Sequence, residues 1–135
     1  MDIDTLQYNM KEYGMIEKEY RPWGWFKVLQ RGDNYCVKQL YVEPNKRISY
    51  QFHRHRSEDW VVVDGSGTIT RNDMEEEAKI GDTFFIGVEA RHRIKGGDKG
   101  ITIIEVQRGD CQEDDIVRLQ DDFNRVNEIS WRLFS

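Results

Sequence analysis

The chain is dominated by short segments of strand-forming residues separated by turns rich in glycine and aspartate. The segments start at Trp25 and end near Gln107, and they show no helical periodicity. Short strands at such regular spacing are typical of an all-β sandwich or barrel, and not of alternating strand–helix units. We therefore predict an all-β fold. Eight candidate strands follow the pattern: Trp25–Leu29, Tyr35–Val42, Ile48–His55, Trp60–Val63, Thr68–Arg71, Thr83–Ile86, His92–Ile94 and Ile101–Val106.

Residues outside this region are fewer and more polar. The spacing of Leu6, Met10 and Tyr13 fits one side of a short helix. Beyond Asp110, the segments Asp115–Asn124 and Ile129–Phe134 are candidates for one or two short terminal elements, including a short helix. With 135 residues the chain has the size of one domain. We expect three parts: an N-terminal extension over residues 1–20, a barrel domain over 21–125 and a C-terminal tail over 126–135.

Composition and charge exclude several classes of function. The net charge of −5 and the pI near 5.2 argue against a general nucleic-acid binder. The sequence lacks an apolar run near the roughly 20 residues that span a bilayer, and its first four residues are unlike a signal peptide. We expect a cytoplasmic protein. Cys36 and Cys111 are far apart, without a CxxC pair, and are expected to be reduced thiols.

The candidate strand Ile48–His55 has two different faces. Alternation places Ser49, Gln51, His53 and His55 on one face, and the apolar side chains of Ile48, Tyr50 and Phe52 on the other. The apolar face can pack against a core. Glutamine and histidine together, with Glu58 following, suggest that the other face lines a polar cavity.

All three histidines of the chain fall in two short segments that can form one metal pocket. His53 and His55 lie in the first segment with Gln51 and Glu58, and His92 follows about 34 residues later on a separate strand. Imidazole nitrogens with carboxylate or amide oxygens suit one divalent ion of Zn, Mn, Fe, Co or Ni. We predict that Gln51, His53, Glu58 and His92 hold the ion.

The spacing Gln51-x-His53-x4-Glu58-x6-Gly65, followed by His92, resembles the two motifs of the cupin superfamily. The resemblance is closer still to type II mannose-6-phosphate isomerases and to the C-terminal domain of bifunctional mannose-1-phosphate guanylyltransferase/mannose-6-phosphate isomerases. It covers residues 21 to about 125. The six short motifs that carry it, in order, are Arg21-Pro22-Trp23-Gly24, Val37-Lys38, Gln51-x-His53-x-His55-Arg56-Ser57-Glu58-x-Trp60, His92-Arg93-Ile94, Ile104-Glu105-Val106-Gln107-x-Gly109-Asp110 and Glu113-Asp114-Asp115-Ile116-Val117-Arg118.

The resemblance implies a single antiparallel cupin barrel, also called a jelly roll or double-stranded β-helix, that holds one divalent ion and forms a homodimer. It further implies an aldose–ketose isomerase acting on a phosphosugar, with mannose-6-phosphate and fructose-6-phosphate interconverted. The ion would polarise the sugar carbonyl and stabilise the enediolate oxygens. The nucleotidyltransferase domain of the bifunctional relatives has no counterpart in these residues, so guanylyltransferase activity is not expected.

The resemblance also proposes roles for cationic and proton-transferring residues. Seen singly, Lys38, Arg56, Arg118 and Arg125 are typical surface charges, and the acidic run Glu113-Asp114-Asp115 is typical of a solvated turn. The motif match makes Arg118 a candidate for catalysis and phosphate binding, and Lys38 and Arg125 candidates for substrate binding. His55 and Glu105 are the candidate bases, since both share a face with cavity residues.

Two departures from the family pattern leave other functions open. The second cupin motif has Gly87 and Glu89 where proline and glycine are usual, and Phe123-Asn124-Arg125 stands where the family has Tyr-Gly-Arg. A sugar-binding module would keep the ion without the base. Another metal-dependent cupin enzyme, such as a non-haem iron oxygenase, would keep the ion and consume oxygen. The fold alone does not decide between these activities.

Overall fold

The structure, a computed structural model, describes residues 17–125. Nine strands form in this range and no helix does. The predicted N-terminal helix and the segment Ile129–Phe134 lie outside the described residues. The strands are β1 (Glu19–Arg21), β2 (Gly24–Arg31), β3 (Tyr35–Val42), β4 (Tyr50–Phe52), β5 (Arg56–Arg71), β6 (Met74–Lys79), β7 (Thr83–Ile86), β8 (His92–Gly109) and β9 (Val117–Gln120).

Two long strands, β5 and β8, organise the curled antiparallel sheet. They pair with each other from Arg56↔Gly109 to Arg71↔His92. β3 extends the sheet beside the second half of β8, while β4 and β9 follow beside its first half. The hairpin of β1 and β2 and the strands β6 and β7 complete the sheet on the remaining edges. The all-β prediction is confirmed.

The length of β5 and β8 differs from the prediction, because turns expected at their glycines do not form. Asp64-Gly65-Ser66-Gly67 separates the predicted strands Trp60–Val63 and Thr68–Arg71, yet it lies inside β5, where the register shifts between Val62 and Asp64 and between Gly65 and Gly67 mark two bulges. Gly65 has a positive φ of 70°, and a Cβ there would lie 2.1 Å from the carbonyl oxygen of Gly100. The glycines thus bend the ribbon and allow a close approach without ending its pairing.

Other strand predictions differ at their ends. The candidate strand Ile48–His55 contracts to the three residues of β4, which ends at Phe52. Within Asp115–Asn124 the chain forms the strand β9 and a turn, where a helix was among the expected elements. β6 was not predicted, because the run Glu75–Glu77 is polar and exposed and therefore lacks an apolar alternation.

The barrel interior is apolar at one end and polar at the other. On β3 the inward side chains change from Val42 and Leu40 to Lys38, and on β8 they change from Ile101 and Ile103 to Glu105. The strand register places this change at the same level in both strands, because Lys38 pairs with Glu105 and Leu40 with Ile103.

β5 shows the same change from apolar to polar side chains. Its inward side chains are Val62 and Trp60 at the apolar end, and Glu58 and Arg56 at the polar end. The apolar half supplies a core that fixes the backbone around the polar half.

The polar half contains a cavity of about 120 Å³. Its walls include the predicted metal ligands and several cations, described below. Among residues 17–125, no helix is long and apolar enough to cross a lipid bilayer.

Candidate metal centre

Three of the four predicted ligands meet at one point in the polar half of the barrel. One ligand atom from each of His53, Glu58 and His92 lies within 4.8 Å of the others. The side chains come from the segment after β4, from β5 and from the start of β8, and all three are buried. The strand register brings them together: Gln51 pairs with His92, and Glu58 lies across the cavity on β5.

Backbone carbonyls fix the orientation of both imidazoles. The Nδ1 atom of His53 lies 2.6 Å from the carbonyl oxygen of Asp115, and Nδ1 of His92 lies 2.8 Å from that of Ala90. A carbonyl can only accept, so each Nδ1 carries the proton and each Nε2 keeps a lone pair. Within residues 17–125, the buried Nε2 of His92 has no hydrogen-bond partner. Each imidazole therefore has an Nε2 lone pair that can bind a cation, and that of His92 is without a hydrogen-bond partner among the described residues.

The protonation states of the three side chains match those that a metal requires. Burial lowers the pKa of His53 to about 3 and also lowers the pKa of His92. Burial alone would raise the pKa of Glu58, but the neighbouring His53 and the Arg56 guanidinium hold it down at about 2. Near neutral pH the cavity therefore presents two neutral imidazoles and one carboxylate, without a proton to displace.

Gln51, the fourth predicted ligand, lines the same cavity. Its side-chain oxygen accepts a hydrogen bond from the hydroxyl of Ser49 at 2.5 Å, and its Nε2 lies 3.4 Å from Nε2 of His53. The amide is thus beside the cluster with its nitrogen toward His53. Ligation through its oxygen requires the amide to turn over.

Arg56, considered a surface charge from the sequence, is instead buried at the centre of this cluster. Its Nε donates to Oε2 of Glu58 at 2.9 Å, and its Nη2 lies 3.1 Å from Nε2 of His53. Nη1 donates to the carbonyl oxygen of Gln112. The signal was available in the sequence: Arg56 lies two residues before Glu58, so strand alternation places both side chains on the same face.

Asp115 was expected in a solvated turn, but its side chain is buried. The carboxylate accepts hydrogen bonds from the backbone N–H groups of Arg54 (3.1 Å) and His55 (2.9 Å). Its carbonyl holds His53, as described above. Asp115 therefore fixes the three-residue segment that presents His53. The acidic run Glu113-Asp114-Asp115 contains no local sequence signal that distinguishes Asp115 from the two acidic residues before it.

His55 lies away from the cavity. Its side chain is half exposed, and Nδ1 is 3.2 Å from Oδ1 of Asp115. The sequence prediction placed it on the ligand face by extending the alternation of β4 through residue 55. Because β4 ends at Phe52, that alternation stops before His55. The structure does not bring this candidate base to the metal cluster.

Glu105, the other candidate base, lies in the cavity wall and is buried. Burial and the negative charge of Glu58 raise its pKa to about 7, against the opposing charges of Arg56 and Lys38. The side-chain amide of Gln107 donates a hydrogen bond to its carboxylate. A carboxyl group of this kind can both accept and donate a proton near neutral pH.

The three predicted substrate-binding cations also line this cavity. Lys38 is buried, with its ammonium group over the ring of Phe26 and 3.7 Å from a carboxylate oxygen of Glu113. Arg118 enters from β9, where its backbone pairs with Gln51. Arg125 is held by Asp121 through both oxygens, at 2.7 and 3.2 Å.

The two departures from the family pattern keep the backbone geometry that glycine favours. Glu89 and Asn124 stand where glycine is usual, and they have positive φ values of 64° and 62°. Asparagine tolerates this conformation better than most residues. The turn around Glu89 also supports the site: its N–H donates to the carbonyl oxygen of His53, and Ala90 follows with the carbonyl that orients His92. Phe123 packs against the core.

A divalent ion fits the residues at this cluster. Two nitrogen atoms and a carboxylate oxygen face one another at metal-binding spacing, and one of these nitrogens is buried without a partner in the described part of the chain. Arg56 is the competing feature, because its guanidinium contacts two of the same atoms. An ion at this position would displace it from Nε2 of His53.

Comparison with known proteins confirms the family resemblance over most of the chain. The family model described as "Mannose-6-phosphate isomerase C-terminal" matches residues 8–121. Mannose-1-phosphate guanylyltransferase ManC of Salmonella typhimurium is 36% identical over 117 residues, which are 85% of this chain and 24% of that protein. Xanthan biosynthesis protein XanB of Xanthomonas campestris pv. campestris is 38% identical over 111 residues, 81% of this chain and 24% of that protein.

The solved structures resemble this chain in fold. An RmlC-like cupin from Shewanella frigidimarina superimposes with a TM-score of 0.67 at 16% identity, covering 74% of this chain and 89% of that one. The barrel is therefore of the cupin type. The chain spans about a quarter of the length of the curated relatives it matches.

Proposed function

Because this chain belongs to the mannose-6-phosphate isomerase C-terminal family of cupin domains, we propose that it is a metal-dependent aldose–ketose isomerase. Its proposed reaction is the interconversion of mannose-6-phosphate and fructose-6-phosphate. One observation carries the proposal. A His–Glu–His cluster, a carboxyl group with a pKa near 7 and three cations all line one cavity.

The proposed ligands of the ion are Gln51, His53, Glu58 and His92. Two nitrogens and two oxygens do not select strongly among Zn, Mn, Co, Ni and Fe, so the bound metal should follow availability. When bound, the ion would polarise the sugar carbonyl and stabilise negative charge that develops on oxygen. The carbonyl partners of both imidazoles support this assignment, since they hold the lone pairs toward the cavity.

Glu105 is our proposed base. An aldose–ketose isomerisation removes a proton from one of the two carbons C1 and C2 and returns it to the other, so one group must accept and then donate it. The carboxyl of Glu105 is buried with a pKa of about 7, and Lys38 pairs with it across β3 and β8. Such a group exists in both protonation states at neutral pH. The exposed position of His55 makes it the weaker candidate.

The phosphate group is proposed to bind the cations Lys38, Arg118 and Arg125. A guanidinium binds phosphate oxygens in a bidentate manner, which holds the sugar in one orientation. The backbone of Arg118 pairs with that of Gln51, and both residues line the cavity that contains the proposed ion site. This closeness also suits Arg118 for stabilising negative charge during the reaction.

We also propose a homodimer. The outward face of β5 and β7 carries Val61, Val63 and Phe85, whose exposed fractions are 39%, 43% and 55%. Adjacent exposed apolar side chains on a sheet favour association. A monomeric mass from light scattering at micromolar concentration would contradict this.

The proposed function is tested by an isomerase assay. Chelator-treated protein is given Zn, Mn, Co or Ni separately, and fructose-6-phosphate formation from mannose-6-phosphate is followed with a coupled dehydrogenase. Activity should disappear with chelator and return with metal. Glu105→Gln should lower kcat by at least about a hundredfold while metal still binds, whereas His55→Asn should retain activity.

The alternatives give different results in the same assay. Sugar binding without turnover on any hexose phosphate would contradict the isomerase proposal and favour a sugar-binding module. Oxygen consumption with iron would favour an oxygenase.

A further inference from the structure

A half-exposed carboxylate lies between two cations at the mouth of the cavity. Oε2 of Glu113 is 3.5 Å from Nη2 of Arg21, and Oε1 is 3.7 Å from Nζ of Lys38. The three residues come from β1, β3 and the segment before β9, and all of them line the cavity. Each oxygen of the one carboxylate thus faces a different cation.

We propose that Arg21 and Lys38 form an anion subsite for the phosphate group of a substrate, and that Glu113 occupies this subsite until the phosphate displaces it. The inference rests on the proposed function and adds Arg21 and Glu113 to it. The chemical class of ligand is a phosphate monoester dianion, whose oxygens can replace both carboxylate contacts.

The burial of the three side chains favours this exchange. The side chain of Lys38 is 7% exposed, so its charge is fixed in the wall, whereas the side chain of Glu113 is 48% exposed. Lys38 is held over the ring of Phe26, and Arg21 also lies against that ring, at 5.0 Å from its centroid. The two cations share a rigid support, while the carboxylate between them reaches solvent.

The lengths of the two contacts made by Glu113 also favour its exchange with phosphate. Direct ion pairs between nitrogen and carboxylate oxygen are about 2.7–2.9 Å long. The distances from Glu113 are 3.5 and 3.7 Å, whereas Arg47 and Asp122 elsewhere on the surface reach 2.7 Å. A carboxylate held this loosely is a weak competitor for a dianion that carries three terminal oxygens.

The experiment measures inorganic phosphate binding by isothermal titration calorimetry on the full chain, in chelator, so that no bound metal contributes. Glu113→Gln removes the competing charge but keeps the size of the side chain. The free energy of two partly exposed ion pairs corresponds to about a fivefold change in binding affinity. The variant should therefore bind phosphate about fivefold more tightly. The added change Arg21→Gln should reverse this gain.

Glu19→Gln is the matched control. Glu19 also lies 3.5 Å from Nη2 of Arg21, but it is not among the residues that line this cavity. It should change phosphate affinity by less than about twofold. Equal tightening by both glutamine variants would overturn the proposal, since overall charge would then explain the effect. Unchanged affinity in Glu113→Gln would overturn it too.

Sugar ligands separate the phosphate from the rest of the substrate. Mannose-6-phosphate should bind Glu113→Gln more tightly by the same factor as free phosphate, while mannose should show no change. These measurements need no turnover. An inactive protein with this binding pattern would contradict the isomerase function alone, and an active isomerase without it would contradict this subsite alone.

Discussion

Arg56 donates a hydrogen bond from Nε to Oε2 of Glu58 at 2.9 Å, and both side chains are buried. The cation thus neutralises the carboxylate that we propose as a metal ligand. The same guanidinium reaches Nε2 of His53. It therefore contacts two of the proposed ligand atoms, and it would have to give up at least one of them to a bound ion.

Replacing Arg56 should lower the stability of the protein but raise its affinity for metal. Arg56→Met leaves Glu58 buried without this partner, so the metal-free protein should lose about 3 kcal/mol of unfolding free energy. Metal affinity should rise, because a competing positive charge has been removed from the ligand atoms. Urea denaturation in chelator and a zinc titration measure the two quantities.

Arg108→Met is the control for this variant. Arg108 pairs with Asp59 at the surface, where both side chains are about half exposed. It should cost less than about 1 kcal/mol and leave metal affinity unchanged. Weaker zinc binding in Arg56→Met would contradict the competition and assign Arg56 the role of orienting Glu58 in the loaded site.

His53 should make a contribution that destabilises the metal-free protein as the pH falls below about 6.5. Unfolded His53 takes up a proton near that pH, but burial lowers the pKa of the folded side chain to about 3. Between these values the unfolded state holds more protons, so acid favours unfolding. His53→Asn should reduce the slope of unfolding free energy by up to about 1.4 kcal/mol per pH unit in this window. Denaturation curves from pH 4 to 7.5 test this, and an unchanged slope would contradict it.

Glu105 should act on stability in the opposite direction. Its folded pKa is about 7, above the ordinary 4.5, so between these values the folded state holds the extra proton. Its contribution is therefore present below pH 4.5 and is lost as the pH rises through 7. Glu105→Gln, which cannot ionise, should gain stability relative to the parent chain as the pH rises from 5 to 8. A constant difference between the two proteins across this range would refute the raised pKa.

Removing the carboxylate of Asp115 should loosen the segment that presents His53. Asp115→Ala leaves the N–H groups of Arg54 and His55 without these acceptors, which should cost about 2 kcal/mol. Metal affinity should fall at least about tenfold, because the orientation of His53 depends on this segment. Glu77→Ala, on an exposed position of β6, is the control and should change neither quantity. Normal zinc affinity in Asp115→Ala would show that His53 is held by other contacts.

Glycine at position 89 should stabilise the protein. Glu89 has a φ of 64°, a conformation that L-residues adopt with strain and achiral glycine adopts freely. Glu89→Gly should therefore raise the unfolding free energy by about 0.5–1 kcal/mol, after allowing for the greater freedom of glycine in the unfolded chain. Glu77→Gly, within a strand, should lower it by a similar amount. A thermal or urea midpoint that falls in Glu89→Gly would contradict the strain.

The sequence predicted the cavity because alternation and spacing are local properties that the fold preserves. Gln51 lies in β4 and Glu58 in β5, and each points where its strand period requires. Glu105 was found in the same way on β8. The apolar and polar halves of the barrel follow from the inward positions of these strands.

Other features depended on contacts between distant segments and could not be predicted. Where β4 ends is decided by pairing with β8 and β9, and this decides the position of His55. The burial of Asp115 depends on a segment some 60 residues away. The burial of Arg56, in contrast, could be inferred from its position two residues before Glu58 on the same strand face, and it was assigned to the surface because a lone arginine is usually exposed.

The pairing of β5 with β8 has a consequence for how the protein folds. Glu58 lies near the start of β5 and His92 at the start of β8, so they occupy opposite ends of this two-stranded ribbon. Zipping the ribbon from its connecting turns leaves the two side chains far apart. They meet only when the ribbon bends over its glycines and β4 pairs with β8. A metal ion would thus bind late on the folding pathway, after the long-range closure that limits the rate in such topologies.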